Sequence, residues 1–131
     1  MANYVAHLQP ELAVNYCQLV VVWTDTSAIT RAARQELGAS FPFLCDHERK
    51  AITELDIVDS TDAHHPRIAI PYTFVLDAER VIHKILSGWW FLGRPTVEEL
   101  RMDLRALMAR RRDWWYDGTP APYAAAMRDE G

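Results

Sequence analysis

The stretch that predicts the fold most directly runs from Ile70 to Asp77 and reads IPYTFVLD. Its β-branched and aromatic residues favour a strand. A second run of the same kind, Val81 to Leu86 (VIHKIL), follows after the polar residues Asp77 to Arg80. Two such runs separated by a short polar turn are typical of a β-hairpin. We therefore predict an antiparallel pair of strands here.

The chain before this hairpin reads as strand, helix and short strand. Leu19 to Trp23 (LVVVW) is a continuous apolar run, typical of a strand buried on both faces of an α/β sheet. Polar residues 25–27 offer caps for a helix that Gly38 closes, and Phe41 to Leu44 forms the next extended segment. The order predicts two parallel strands joined by a helix, with the hairpin as an antiparallel edge.

Three further helices are predicted, over residues 3–15, 47–55 and 97–112. Pro10 either kinks the first of them or lies in the first turn of a helix that restarts there, and Asn15 is its expected left-handed stop. Asp46 is the expected cap of the second. Thr96 and Glu99 have the spacing of a capping box at the start of the third.

Length and composition indicate one ordinary domain, residues 1–112, followed by a C-terminal tail, residues 113–131. The 131 residues carry 14 basic and 18 acidic side chains, so the formal charge is 14 − 18 = −4, which argues against nucleic-acid binding. No apolar run is long enough to cross a membrane, and no secretory signal is visible. Cys17 and Cys45 fit a reducing compartment, and we expect a cytoplasmic protein.

Two segments together resemble a known family. Phe41 to Asp46 (FPFLCD), followed by Ile70 to Asp77 and by Val81-Ile82, resembles the redoxins, the AhpC/TSA (peroxiredoxin-like) group of the thioredoxin fold. The resemblance covers about Leu8 to Met108. It implies an α/β fold with a mixed sheet flanked by helices, and an antioxidant or oxidoreductase activity in which a thiolate reduces a peroxide or exchanges with a partner's disulfide.

The resemblance also implies a groove for a substrate or partner. Pro71 matches the proline that thioredoxin-fold proteins hold in cis beside the active site, so Ile70 to Thr73 should line this groove. We expect Trp89 and Trp90 either to contribute to it or to cover the end of the sheet. Many peroxiredoxins have an arginine where this chain has Pro71, and this difference favours the thioredoxin-like redoxins.

The family's nucleophilic cysteine is not where the resemblance would place it. In the family this cysteine starts the first long helix, directly after a central strand, and the present sequence begins inside that helix. The central strand lies between the strands that contain Val20 and Phe74 here. Its absence predicts that these two strands pair directly, that the chain borrows a strand or closes its edge through a second subunit, or that the sequence is part of a longer protein. A homodimer is the expectation that we carry forward.

Cys45 is the one candidate nucleophile in the sequence. The N-terminus of the following helix, His47 or Arg49 could activate it, whereas the charge of Asp46 disfavours a thiolate beside it. It could equally be a small apolar residue at a strand end, and Cys17 is expected in the core. We expect no cofactor and no metal, and we read the loop with Asp59, Asp62, His64 and His65 as solvated.

Three functions therefore remain open. The first is a redoxin-family protein without its usual cysteine, inactive alone or dependent on a thiol-redox partner. The second is an active oxidoreductase that uses Cys45. The third is a dimeric interaction module without catalysis.

Overall fold

The computed structural model describes residues 1–61, 63–64, 67–88 and 93–110, and the backbone of residues 115–116 and 119–120. Helical and extended segments alternate along the chain. They are a π-helical segment (Tyr4–Leu8), α1 (Gln9–Val14), β1 (Val21–Trp23), α2 (Ser27–Leu37), β2 (Phe43–Cys45), α3 (Lys50–Glu54), β3 (Val58–Asp59), β4 (Ile68–Ala69), β5 (Tyr72–Leu76), β6 (Ile82–Ser87), α4 (Val97–Arg110), β7 (Trp115–Tyr116) and β8 (Thr119–Pro120).

The first helix changes its winding ahead of Pro10. The backbone N–H of Gln9 donates to the carbonyl of Tyr4, five residues earlier, and α1 then begins with Pro10 in its first turn. The N–H groups of a helix's first turn have no partner within the helix, so a proline there costs no hydrogen bond. The predicted restart of the helix at Pro10 is confirmed. The predicted stop at Asn15 is wrong by one residue. Tyr16 takes the left-handed conformation (φ 55°), because the Asn15 side chain instead donates back to the Glu11 carbonyl at 2.7 Å.

The strand–helix–strand unit forms as predicted. β1 and β2 are parallel, with Val21 opposite Phe43 and Trp23 opposite Cys45. The hydroxyl of Thr26 caps α2, and Gly38 ends it in the left-handed region at φ 66°. This is where the absence of a Cβ matters, because a left-handed residue with a side chain is strained.

The hairpin is also confirmed, with Phe74 of β5 opposite Ile85 of β6. The carboxylate of Asp77 holds the turn, because it accepts hydrogen bonds from the backbone of Glu79 at 2.9 Å and of Val81 at 2.8 Å. An aspartate that bonds to the backbone two residues later is a common way to fix a turn.

The segment between α3 and the hairpin is more ordered than predicted. β3 and β4 form a short antiparallel ladder, so the loop predicted from Asp59 onward is closed at its base. α3 is shorter than predicted, because Arg49 before it is left-handed (φ 59°) and breaks the helical winding. Asp62 and His65 lie outside the described residues.

A small apolar core joins the first helix, the hairpin and α4. Its buried members are Leu8, Leu12, Val75 and Leu100. Leu19, just before β1, and Leu86 of β6 pack against the same cluster, so both strand pairs contact one core. An ion pair adds to this contact: the Arg101 guanidinium of α4 donates to both carboxylate oxygens of Glu11, at 2.8 Å each.

The strands do not form the single mixed sheet that the resemblance implies. In the described part of the chain, β1 pairs only with β2, and β5 pairs only with β6. Direct pairing of β1 with β5, the first of the three solutions for the missing strand, is therefore excluded.

The bond between Ile70 and Pro71 is trans, since the described residues include no cis peptide bond. The predicted cis proline is therefore wrong. The backbone on either side of this bond is extended: Ile70 donates to the Ile57 carbonyl at 2.8 Å, and Gly88 donates to the Pro71 carbonyl at 2.8 Å. Residues before proline prefer such an extended backbone, and trans is the favoured isomer.

Most of the predicted tail, residues 113–131, lies outside the described residues, and only the β7–β8 ladder within it is described. No helix in the described part of the chain is long and apolar enough to span a membrane.

Candidate functional site

Cys45 is the last residue of β2 and lies opposite Trp23, the last residue of β1. It is exposed, and its Sγ donates a hydrogen bond to the backbone carbonyl of Asp25 at 2.9 Å. The indole of Trp23 donates to the carboxylate of the same aspartate at 2.6 Å. Cys45 thus lies at the carboxyl ends of two parallel strands, and its thiol faces oxygen atoms rather than cations.

The groups expected to activate Cys45 make other contacts. The carboxylate of Asp46 accepts hydrogen bonds from the backbone of Ala51 at 3.2 Å and of Ile52 at 3.1 Å, so it occupies the N-terminal end of α3. The Arg49 guanidinium donates to the Arg67 carbonyl at 2.9 Å. The prediction that Asp46 caps α3 is therefore confirmed.

Cys17 follows α1 and is half-buried against the core cluster. Its Sγ donates to the Asn15 carbonyl at 3.3 Å. Burial raises the pKa of the Cys17 thiol, because a thiolate loses its hydration there. Neither cysteine forms a disulfide.

The predicted groove residues Ile70 to Thr73 lie together at the start of β5. Ile70, Pro71 and Thr73 are half-buried, and Tyr72 is exposed, with its ring stacked on that of Phe74 at a centroid distance of 5.9 Å. Trp89 and Trp90 lie outside the described residues. No hydrogen bond, ion pair or ring contact in the described part of the chain joins Cys45 to residues 70–73.

Sequence reasoning missed a cleft of about 670 Å³ between the start of the first helix and the start of α4. Arg94, Arg101 and His7 line it, and the Tyr4 hydroxyl donates to the Pro95 carbonyl at its wall. These residues stand some ninety positions apart in the sequence and form no motif. Arg101 is already paired with Glu11 and Glu98, so this cleft offers fewer free charges than its composition suggests.

Comparison with known proteins identifies the family of this chain. The AhpC/TSA family model matches residues 1–85. The chain belongs to the AhpC/TSA family. The match includes β1, β2 and β5 and ends within β6, so the family resemblance read from Phe41 to Asp46 and from Ile70 to Asp77 is confirmed.

A solved structure supports the fold of this family. Mycobacterium tuberculosis AhpC is similar, with a TM-score of 0.63 and 21% sequence identity. The alignment covers 84% of this chain and 61% of that one, so the present chain spans less than two thirds of the AhpC chain. The fold is therefore thioredoxin-like, of redoxin type. No curated protein matches the sequence.

Proposed function

We propose that the chain is a partner-dependent subunit of the thiol-redox lineage, and that neither of its own cysteines acts as the nucleophile. The observation that carries this proposal is the hydrogen bond from the Cys45 Sγ to the Asp25 carbonyl at 2.9 Å. The Cys45 thiol thus bonds to a backbone oxygen, and no hydrogen bond in the described part of the chain joins it to a cationic side chain that could activate it.

The test is the rate at which Cys45 reacts with an alkylating reagent between about pH 5 and pH 9. A Cys17→Ser variant leaves Cys45 as the only thiol, and the same variant unfolded in denaturant gives the rate of an unhindered cysteine. We expect the folded protein to react below pH 7 no faster than the unfolded control. Faster reaction of the folded protein below pH 7 would overturn the proposal.

A second assay addresses turnover. The chain is given a hydroperoxide and a dithiol reductant, and peroxide loss is compared with that of a Cys45→Ser variant. We expect equal rates from the two proteins, because Cys45 is not the nucleophile. A rate that depends on Cys45 would support the enzyme reading instead.

One observation favours that second candidate, an active oxidoreductase that uses Cys45. Cys45 is exposed at the carboxyl ends of two parallel strands, which is where α/β sheets commonly carry their sites. Under this reading, Pro71 and Tyr72 would belong to the pocket. The two assays above decide between the candidates.

We also propose that the protein forms a homodimer and resides in the cytoplasm, where its two free thiols would remain reduced. The hairpin presents an apolar face made of Tyr72, Leu76, Ile82 and Ile85, each of them more than a third exposed. Contiguous apolar surface of this kind commonly marks an interface. Sedimentation velocity at micromolar concentration should show a dimer, and a monomer there would contradict this part.

A further inference from the structure

A second cleft, of about 420 Å³, opens where the chain turns from α1 into β1. Its walls are the end of α1, the connection from α1 to β1, and the connection between α2 and β2. The buried residues Leu12 and Phe41 belong to its lining. Its volume lies in the range of about 300–1,000 Å³ that is typical of small-molecule sites. We call it the Tyr16 cleft, after one of the residues that line it.

None of the described side chains that line the Tyr16 cleft is charged, although 24% of the chain is charged. Of the nine lining residues, six are aliphatic, aromatic or cysteine, and the other three are glutamine or serine. An ion that entered this surface would lose hydration without gaining a counter-charge, which is costly. The ligand that fits the cleft is therefore neutral and mostly apolar.

Hydrogen bonds hold the walls of the cleft in place. The Gln9 side chain on α1 accepts a bond from the Ser40 backbone at 2.7 Å and donates one to the Gly38 carbonyl at 3.5 Å. The Arg34 guanidinium donates to the carbonyls of Phe41 at 3.0 Å and of Ser40 at 3.1 Å. The cleft is thus formed before a ligand arrives, and a preformed site costs less ordering on binding.

Tyr16 occupies a backbone position that does not favour a tyrosine. The turn after α1 places it in the left-handed region (φ 55°), where glycine is the usual residue. The Leu12 carbonyl closes this turn, because it accepts from the backbone of Cys17 at 3.2 Å. Tyr16 is 83% exposed, so its ring adds little to the core. It lines the cleft instead, where an aromatic ring can stack on a ring of the ligand.

Two polar side chains in the lining are available to a ligand. The Ser40 hydroxyl and the Gln18 carboxamide are both on exposed residues, and neither bonds to another described residue. Each group can donate and accept a hydrogen bond. A few polar groups in an otherwise apolar cleft are what orients a small molecule.

We propose that the Tyr16 cleft binds a neutral small molecule of the phenol class, with one aromatic ring and a hydroxyl group. The ring would stack on Tyr16, and the hydroxyl would bond to Ser40 or Gln18. Cys45 does not line the cleft, so such binding is independent of the thiol chemistry proposed above.

The test uses 4-fluorophenol as the probe, with binding followed by fluorine NMR. We expect saturable binding with a dissociation constant in the millimolar range, as befits so small a ligand. The matched probe is 4-fluorobenzoate, which has a similar size and a negative charge. It should bind at least about tenfold more weakly, because the cleft offers no counter-charge.

Tyr16→Gly removes the ring and relieves the left-handed backbone, so this variant should fold as well as the wild type. We expect it to weaken 4-fluorophenol binding by about threefold to tenfold. Tyr16→Phe is the matched control, because it keeps the ring at the same backbone position. Its dissociation constant should stay within about twofold of the wild-type value.

A Gln18→Ala, Ser40→Ala double variant tests the polar contacts. Both side chains are exposed, so the fold should be retained. It should weaken 4-fluorophenol binding by about threefold to tenfold, whereas fluorobenzene, which has no hydroxyl, should bind as it does to the wild type.

Cys17 reports where the probe binds, since it also lines the cleft. In a Cys45→Ser variant it is the only thiol, and 4-fluorophenol should slow its alkylation over the same concentrations that saturate the NMR signal. Binding without this protection would place the probe outside the cleft and overturn the proposal. So would the absence of saturable binding, equal affinity for 4-fluorobenzoate, or an affinity that Tyr16→Gly or the double variant leaves unchanged.

Discussion

Leu100 should be a central contact between α4 and the rest of the molecule. Its side chain is 5% exposed and belongs to the core cluster with Leu8, Leu12 and Val75. Leu100→Ala removes three buried carbons, at about 0.8 kcal/mol each, and the cavity adds to that loss. We expect the free energy of unfolding to fall by about 2.5–4 kcal/mol.

Urea unfolding followed by circular dichroism measures this change. With a slope of about 2 kcal/mol per molar urea, the midpoint should move down by about 1–2 M. Met102→Ala is the matched control, because Met102 lies on the same helix and is 61% exposed. Its midpoint should move by less than about 0.5 M, as expected for a surface substitution. Equal midpoints for the two variants would refute the packing of α4 against the hairpin and α1.

Three further outcomes follow from caps, turns and surface carboxylates. Thr96→Ala should cost about 1 kcal/mol of stability in the same assay, because the Thr96 hydroxyl accepts the hydrogen bond from the Glu99 backbone at 3.2 Å, and a Thr96→Ser variant should restore most of it. Gly38→Ala should cost about 1–2 kcal/mol through its left-handed backbone alone, since nothing lies within 4 Å of the added Cβ, and Gly38→Asn should cost less. Hydrogen bonds from the Arg101 guanidinium lower the pKa of Glu11, and hydrogen bonds from Thr96 lower the pKa of Glu99. Both carboxylates therefore stabilise the fold at a pH above their ordinary pKa of 4.5, and this contribution is lost as the pH falls below that value. Thermal unfolding of a Glu11→Gln, Glu99→Gln double variant should therefore depend less on pH between about 5 and 3 than that of the wild type, and equal pH dependence would contradict the assignment.

Features fixed by a few neighbouring residues were predicted well from the sequence. The capping box at Thr96, the left-handed Gly38 and the turn at Asp77 each depend on one side chain or one missing Cβ. The restart of the first helix at Pro10 was predicted as one of two alternatives for the same reason. Such local rules need no knowledge of the tertiary packing.

Features set by distant contacts were predicted less well. The left-handed residue after α1 is Tyr16 rather than Asn15, because the asparagine side chain found a partner one turn back. The trans bond at Pro71 follows from pairing with Ile57 and Gly88 on either side, which no local pattern shows.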